Sequence, residues 1–126
     1  MNILLAEDDS NISLIAKVAL ERMGGHKVTV AENGVLALEL ANTQSFDLIL
    51  LDSMMPEKDG LATCIELKKN PKTQGTPIIF LSARSNENDI QQGLSAGAIG
   101  YISKPFEPTQ ICAVIKELLA SNGVAA

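Results

Sequence analysis

Short apolar runs in this chain alternate with longer segments in which apolar residues recur every three or four positions. The short runs predict five β-strands, at residues 2–6, 26–31, 46–51, 77–83 and 98–103. The run LILL at 48–51 is continuous, which is typical of a strand buried on both faces of a helix-covered parallel sheet.

The segments between the strands carry amphipathic helical patterns. The predicted inward-facing residues are Ile12, Ile15, Ala16, Ala19, Leu20 and Met23; Leu36, Ala37, Leu40 and Ala41; Leu61, Cys64 and Ile65; Ile90, Gly93, Leu94 and Gly97; and Ile111, Val114, Ile115, Leu118 and Leu119. Pro71 ends the third helix because proline cannot continue a helix, and Pro108 is expected in the first turn of the fifth. The fourth helix is predicted to be the least stable, since each glycine costs about 1 kcal/mol relative to alanine.

Five strands that alternate with five helices indicate an α/β fold with a parallel sheet and right-handed crossovers. The chain of 126 residues fits one domain, which buries roughly two thirds of its unfolded surface. We expect this domain to cover residues 1–122 and residues 123–126 to form a short C-terminal tail. Because 46% of the residues are hydrophobic and only 3% are aromatic, the core must consist of Leu, Ile, Val and Ala.

Charge and hydropathy exclude several classes of partner. The formal net charge of −5 argues against direct nucleic-acid binding, which needs Lys and Arg clustered on one face. No apolar stretch reaches the roughly 20 residues that span a bilayer, and the N-terminus has no basic segment with a cleavage site. A cytoplasmic protein without membrane insertion is therefore expected. Cys64 and Cys112 do not have CxxC spacing and are expected to be reduced, partly buried thiols.

Polar residues stand at the carboxyl ends of four of the predicted strands. Glu7 and Asp8 follow the first strand, Asp52 the third and Lys104 the fifth, and Ser82 lies near the end of the fourth, after IIFL. In open parallel sheets ligands bind beyond the carboxyl ends of the strands, so these positions suit chemistry. An aspartate at a strand end also commonly starts a turn or caps a helix. The segment around Asp52 alone leaves both interpretations open.

Four motifs at these positions, LLAEDD, LLDSMMPEKDG, FLSA and YISKPF, occur in this order, with 30 residues from Asp52 to Ser82 and 52 from Asp52 to Lys104. In these motifs the sequence resembles a response-regulator receiver domain (CheY-like) of two-component signalling, over nearly the whole chain. The resemblance implies a flavodoxin-like fold, a doubly wound five-stranded parallel sheet in the order 2-1-3-4-5 with five helices. In that order Glu7, Asp8 and Asp52 converge between strands 1 and 3.

Converging carboxylates repel one another, and a cation usually neutralises such a cluster. Mg²⁺ is the best candidate, because it takes hard oxygen ligands and is typically held by one or two carboxylates together with a phosphate. The resemblance implies that Asp8, Asp52 and the main-chain carbonyl of Met54 bind Mg²⁺ directly and that Glu7 binds it through a water. The alternative for residues 7–9 is a solvated, helix-capping acidic turn, and Asp9 by itself is assigned to capping.

The resemblance also implies the roles of the remaining site residues. Asp52 is the phosphoacceptor, Lys104 and Ser82 contact the phosphoryl oxygens, and Ser82 with Tyr101 forms the conformational switch. Met54 and Ala83 line the pocket entrance, and a cis bond between Lys104 and Pro105 directs the lysine inward. An ordinary surface ion pair for Lys104 and a partly buried strand-edge aromatic for Tyr101 are the structural alternatives.

The expected function is therefore that of a phosphoacceptor, which assists its own phosphorylation and dephosphorylation but is not a conventional enzyme. A histidine kinase or phosphotransfer protein supplies the phosphoryl group, and the surface of helix 4, strand 5 and helix 5 binds a downstream protein target. Ile99-Gly100 stand where many DNA-binding members carry an acidic pair that makes ion pairs across a dimer, so a monomer is expected. The chain is either a single-domain regulator or an excised receiver.

Three other functions were weighed against this one. A flavodoxin-like cofactor carrier is disfavoured because the acids at residues 7–9 would repel a bound phosphate. A phosphatase with an aspartate nucleophile needs a second acid two residues after the first, where Met54 stands. The main alternative is a receiver-like interaction module that is never phosphorylated.

Overall fold

A computed structural model describes residues 1–124 of the chain. The strands are β1 (Asn2–Ala6), β2 (Lys27–Ala31), β3 (Leu48–Leu51), β4 (Ile78–Ser82) and β5 (Gly100–Ser103). The helices are α1 (Ser10–Gly24), α2 (Gly34–Thr43), α3 (Gly60–Lys69), α4 (Glu87–Ser95) and α5 (Ile111–Ser121). Of the predicted C-terminal tail, residues 125 and 126 lie outside the described part of the chain.

The five strands form one parallel sheet in the order β2-β1-β3-β4-β5, which confirms the predicted doubly wound, flavodoxin-like α/β fold. Ala6 of β1 pairs with Ala31 of β2 and with Leu51 of β3, and Leu51 pairs in turn with Phe80 of β4. Because Ala6 and Leu51 are the last residues of β1 and β3, the residues that follow these two strands leave the sheet side by side at its carboxyl edge.

Side chains that alternate along the strands build one core on each face of the sheet. Ile3 and Leu5 point to the face covered by α1 and α5, whereas Leu4 and Ala6 point to the face covered by α2 and α3. All positions of β3 and β4 are buried, as predicted from their continuous apolar runs.

The buried face of α1 agrees with the predicted one only in part. Ala16, Ala19 and Leu20 are buried as predicted, whereas Ile15 and Met23 are 49% and 56% exposed. Ser13, which was not predicted to face inward, is buried in their place. The predicted inward residues Ile65, Leu94 and Val114 are exposed as well.

Two helix ends also differ from the prediction. Gly97 was placed on the inner face of the fourth helix, but it follows the end of α4 and has a φ of 113°, a conformation that favours glycine. Pro108 was placed in the first turn of the fifth helix, but residues 108–110 form a separate turn and α5 begins at Ile111.

Glycine is required where α3 meets the end of β3. A Cβ atom on Gly60 would lie 2.0 Å from the main-chain oxygen of Asp52, so only glycine permits this close approach. The Gly60 N–H donates to the main-chain oxygen of Ser53 at 3.1 Å. The preceding residue, Asp59, caps α3 by accepting a hydrogen bond from the Ala62 N–H at 2.8 Å. These contacts fix both ends of the loop that follows Asp52.

Both cysteines are free, Cys64 being buried and Cys112 half-buried, as predicted. Burial raises the pKa of the Cys64 thiol to about 11, which keeps it protonated at neutral pH. No helix within residues 1–124 combines the length and the apolar character needed to cross a bilayer.

Candidate functional site

Backbone hydrogen bonds extend past the strand ends and position the acidic residues. The Glu7 N–H donates to the main-chain oxygen of Ala31, and the Asp52 N–H donates to that of Ala6, both at 2.9 Å. Glu7 and Asp52 are therefore held in the sheet register one residue beyond β1 and β3. Both side chains are buried, with 2% and 5% exposure.

Three carboxylates meet at this edge of the sheet. One carboxylate oxygen from each of Glu7, Asp8 and Asp52 lies within 4.8 Å of the other two. Asp8 is exposed and borders the solvent, while Glu7 and Asp52 line the interior of the cluster. The donor set consists of hard oxygen ligands at distances that a single divalent cation can bridge, so these residues fit Mg²⁺.

Lys104 neutralises part of this charge. Its Nζ donates hydrogen bonds to Glu7 Oε1 and, at 3.2 Å, to Asp52 Oδ2. The Lys104 N–H continues the sheet by donating to the main-chain oxygen of Ser82 at 2.9 Å, and the Lys104–Pro105 bond is cis. The predicted cis bond and the inward position of the lysine both agree with the structure.

The pKa values of Glu7 and Lys104 reflect both their burial and their contacts with neighbouring charges. Burial raises the pKa of Glu7 from 4.5 to about 7, with a further increase from Asp52, although the hydrogen bond from Lys104 opposes it. For Lys104, burial lowers the pKa, but the hydrogen bonds and charges of Glu7 and Asp52 outweigh burial and raise it. One ammonium thus faces three carboxylates, and additional positive charge would favour the ionised form of Glu7.

Hydroxyl groups line the other side of the pocket, at the end of β4. Ser82 is fully buried, and its Oγ accepts a hydrogen bond from the Arg84 N–H at 3.0 Å. The Ser53 and Ser82 hydroxyls are hydrogen-bonded to each other. The Tyr101 hydroxyl donates to the main-chain oxygen of Arg84, and the Tyr101 ring stacks on Phe80 with 5.5 Å between centroids.

The site therefore has two chemically different halves. We term Glu7, Asp8, Asp52 and Lys104 the acidic half, and Ser53, Ser82, Arg84 and Tyr101 the hydroxyl half. The two halves are joined covalently at the Asp52–Ser53 bond and by the hydrogen bond between the main chains of Lys104 and Ser82.

The predicted entrance residues lie around these halves. Met54 is 55% exposed, and its N–H donates to Asp52 Oδ1 at 3.2 Å. Ala83 and Pro105 are exposed and, with Lys104, border a cavity of about 340 Å³ next to the acidic half. Asp9 caps α1 by accepting hydrogen bonds from the N–H groups of Asn11 and Ile12, as expected, and does not belong to the acidic cluster.

Three residues of the site escaped the sequence analysis. Ser53 has no predicted role, although it follows Asp52 directly and its hydroxyl is hydrogen-bonded to that of Ser82 at the end of β4. Arg84 contributes through its main-chain N–H and oxygen, which the residue type does not reveal. Phe80 was recognised as part of an apolar strand, but its stacking with Tyr101 depends on the β4–β5 pairing.

Comparison with known proteins identifies the family. The sequence model of the response regulator receiver domain matches residues 3–116. The chain therefore belongs to the response regulator receiver domain family, whose members act as phosphoacceptors in two-component signal transduction and bind Mg²⁺ at an acidic site. The cluster of Glu7, Asp8 and Asp52 is the acidic site of this chain.

Individual relatives agree with this assignment. The transcriptional regulatory protein CpxR of Escherichia coli K12 is 44% identical over 117 residues, which are 93% of this chain and 48% of CpxR. The chemotaxis response regulator CheY4 of Vibrio cholerae superimposes with a TM-score of 0.87 at 27% identity, over 94% of this chain and 98% of that one. The receiver domain of the sensor histidine kinase PA1611 from Pseudomonas aeruginosa PAO1, with a magnesium ion coordinated in its active site cleft, gives a TM-score of 0.84 at 29% identity, over 94% and 97% of the two chains. The chain spans about half the length of the curated relatives it matches.

Proposed function

We propose that Asp52 accepts a phosphoryl group from the phosphohistidine of a histidine kinase or phosphotransfer protein, in a Mg²⁺-dependent reaction in the cytoplasm. The observation that carries this proposal is the position of the Asp52 carboxylate, whose Oδ2 lies 3.2 Å from Lys104 Nζ inside a cluster of three carboxylates. A nucleophilic carboxylate beside a lysine ammonium, within a set of carboxylates that fits a divalent cation, is the arrangement that aspartyl phosphate formation needs.

The ligands proposed for Mg²⁺ are the carboxylates of Asp8 and Asp52, the main-chain carbonyl of Met54 and, through a water, Glu7. The contacts of the described residues support this proposal, because a single ammonium, that of Lys104, donates to Glu7 and Asp52 in a cluster of three carboxylates. Bound Mg²⁺ supplies the charge that neutralises the phosphoryl oxygens.

In the proposed transfer an oxygen of Asp52 forms a bond to phosphorus while the bond from phosphorus to the donor's imidazole nitrogen breaks. The imidazole leaves as the neutral ring after taking up a proton. Lys104 balances one negative charge of the phosphoryl group, and the Ser82 hydroxyl donates to another phosphoryl oxygen. Met54 and Ala83 border the path by which the donor enters.

The proposed output is a change in the surface of α4, β5 and α5, which binds a downstream protein target. Support comes from the hydroxyl half, where the Arg84 main chain contacts both Ser82 and Tyr101. A movement of Ser82 toward a phosphoryl group on Asp52 therefore changes the surroundings of Tyr101 on β5. The net charge of −5 favours a protein target over nucleic acid for this part of the protein, and Ile99-Gly100 favour a monomer.

Labelling with acetyl phosphate and Mg²⁺, measured by intact mass, tests the proposal. The chain should gain one phosphoryl group, and Asp52→Asn should gain none, because the amide lacks the anionic nucleophile. Asp59→Asn is the matched control, since asparagine caps α3 as well as aspartate does and labelling should persist. A chain that gains no phosphoryl group from acetyl phosphate or a phosphorylated kinase would instead be a constitutive interaction module.

A further inference from the structure

The hydroxyl of Ser82 is already engaged before a phosphoryl group arrives. Ser82 is fully buried, so its hydroxyl has to find its hydrogen-bond partners within the protein. Within residues 1–124 these partners are the Ser53 hydroxyl and the Arg84 N–H, and Asp52 is not among them. Ser82, which is proposed to contact the phosphoryl group, is thus hydrogen-bonded to Ser53, the residue next to the proposed phosphoacceptor Asp52.

When Ser82 is the donor, its hydrogen bond to Ser53 competes with a hydrogen bond to the phosphoryl group. A serine hydroxyl has one proton and two lone pairs, and the Arg84 N–H uses one lone pair of Ser82. Ser82 can donate its proton to Ser53 Oγ or to a phosphoryl oxygen, but not fully to both. If Ser53 is the donor instead, its bond fills the second lone pair of Ser82 and holds the oxygen in the same place.

We propose that Ser53 is a positioning residue that holds the Ser82 hydroxyl away from Asp52 and thereby weakens phosphoryl binding and switching. This inference rests on the proposed function of Asp52. The Ser53–Ser82 hydrogen bond has to break before Ser82 can contact the phosphoryl group. The new contacts of Ser82 must therefore offset the free energy of the bond that is lost.

The surroundings of Ser53 allow such a bond to be made and broken. Ser53 is half-buried and borders a cavity of about 240 Å³, which Phe80, Gly93 and Tyr101 also line. When Ser82 turns toward Asp52, the Ser53 hydroxyl can be solvated in this cavity and does not become a buried group without a partner. Tyr101 lines the same cavity, so the exchange of partners occurs beside the proposed switch residue.

The test is a titration with beryllofluoride, a phosphoryl analogue, in the presence of Mg²⁺. Tyr101 is the one tyrosine of the chain and tryptophan is absent, so intrinsic fluorescence reports on Tyr101, and calorimetry supplies a second measurement of affinity. Ser53→Ala removes the competing partner and should bind beryllofluoride roughly two- to tenfold more tightly, the range expected for one neutral hydrogen bond.

Two further variants separate positioning from a general structural effect. Ser53→Thr keeps the hydroxyl and has room for its methyl group at the cavity, so its affinity should match that of the unmodified chain. In a Ser82→Ala background, Ser53→Ala should have no effect, because the hydrogen bond it removes no longer exists.

Each unfavourable result has a distinct meaning. Equal or weaker binding by Ser53→Ala, or the same increase in the Ser82→Ala background, would overturn the role of Ser53 while leaving the proposed function intact. If the unmodified chain neither binds beryllofluoride nor is labelled at Asp52, the proposed function fails and the role of Ser53 fails with it.

Discussion

The acidic half and the hydroxyl half of the site lie side by side but are held together by different forces. Charged hydrogen bonds from Lys104 to Glu7 and Asp52 hold the acidic half. Hydrogen bonds between hydroxyl and main-chain groups, which carry no formal charge, hold the hydroxyl half. Charged hydrogen bonds are about twice as strong as neutral ones.

This difference separates binding from response. If Asp52 is the phosphoacceptor, as we propose, the acidic half is already assembled before a phosphoryl group arrives. A neutral hydrogen bond contributes only about 1 kcal/mol, so we expect a new charge on Asp52 to change the partners of Ser82. Under this proposal the acidic half is the fixed part of the site and the hydroxyl half is the part that changes.

The largest expected effect comes from breaking the acidic half at its cation. Lys104→Met removes the ammonium that faces Asp52, and the rate of labelling with acetyl phosphate should fall about a hundredfold, a typical loss for one charge-stabilising donor. The control is Lys58→Met. Lys58 forms an ion pair with Glu66 at 2.6 Å on the surface, and its loss should leave labelling unchanged. Equal rates for Lys104→Met and the unmodified chain would remove Lys104 from the reaction.

Mg²⁺ should stabilise the acidic half through the exposed carboxylate of Asp8. At a concentration one hundred times its Kd, a ligand that binds only the folded state adds about 2.7 kcal/mol, which corresponds to a rise in Tm of roughly 10 °C for a domain of this size. Asp8→Asn should lose most of this rise in a thermal melt. Asp9→Asn should retain it, since Asp9 caps α1. If both variants respond to Mg²⁺ alike, Asp8 is not a ligand.

The pH dependence of stability should reveal the burial of Glu7 beside Asp52. The folded state raises the pKa of Glu7 from 4.5 to about 7, so the stabilisation from this group is complete below pH 4.5 and is lost as the pH rises through about 7. The measured quantity is the free energy of unfolding of the unmodified chain minus that of Glu7→Gln, with metal ions removed by a chelator. This difference should fall by on the order of 2 kcal/mol between pH 4.5 and 7.5. Denaturant melts at several pH values measure this difference.

The Glu117→Gln variant, at an exposed position of α5, controls for other titrating groups. Its free energy of unfolding should follow that of the unmodified chain over the same pH range. Saturating Mg²⁺ should also reduce the pH dependence of the difference in free energy of unfolding between the unmodified chain and Glu7→Gln, because a cation favours the ionised carboxylate. A constant difference between the unmodified chain and Glu7→Gln at all pH values would show that the pKa of Glu7 is not raised.

The acidic half was predictable from sequence because it depends on strand ends. A run such as LILL, with its high apolar density, marks a buried strand, and the parallel topology brings the residues that follow β1 and β3 together. The order of the strands, and with it the meeting of Glu7 with Asp52, came from the family resemblance. The structure confirms that order.

The hydroxyl half was only partly predictable because its contacts depend on the packing of side chains and on main-chain atoms. Ser82 and Tyr101 were named, but the bonds through Ser53 and Arg84 were not. The same limit appears in α1, where a wide apolar stripe predicted that Ile15 faces inward. Helical periodicity identifies an apolar arc but not which part of the arc meets the sheet, and in α1 the small, polar Ser13 is buried while Ile15 is exposed.

The hydroxyl half can be tested by removing the hydroxyl that changes partners. With beryllofluoride and Mg²⁺, hydrogen exchange across residues 83–102 should slow by roughly fivefold in the unmodified chain, the lower end of typical coupling energies. Ser82→Ala should show much less slowing, whereas Ser103→Ala, an exposed position at the end of β5, should behave as the unmodified chain. Changes confined to residues 7–9 and 52–60 would mean that phosphoryl binding does not reach the α4 surface.

The smallest expected effect concerns Gly93, the residue of α4 that lies against the stacked rings of Phe80 and Tyr101. A Cβ atom there would lie 3.0 Å from the Phe80 ring and 3.3 Å from the Tyr101 ring, closer than an ordinary van der Waals contact. Phe80 is fully buried in β4 and cannot move easily, whereas Tyr101 is half-buried and can. The crowding in Gly93→Ala should therefore displace Tyr101.

Gly93→Ala should change overall stability by less than about 1 kcal/mol, because the gain in helix propensity offsets the crowding. Its fluorescence, which comes from Tyr101, should nevertheless shift in the absence of beryllofluoride. Ser95→Ala is the matched control, since this exposed position on α4 gains helix propensity without contacting either ring, so its stability should rise slightly and its fluorescence should not change. If Gly93→Ala is stabilised as much as Ser95→Ala with unchanged fluorescence, the fit between α4 and Tyr101 is loose, and the hydroxyl half does not transmit its changes through this contact.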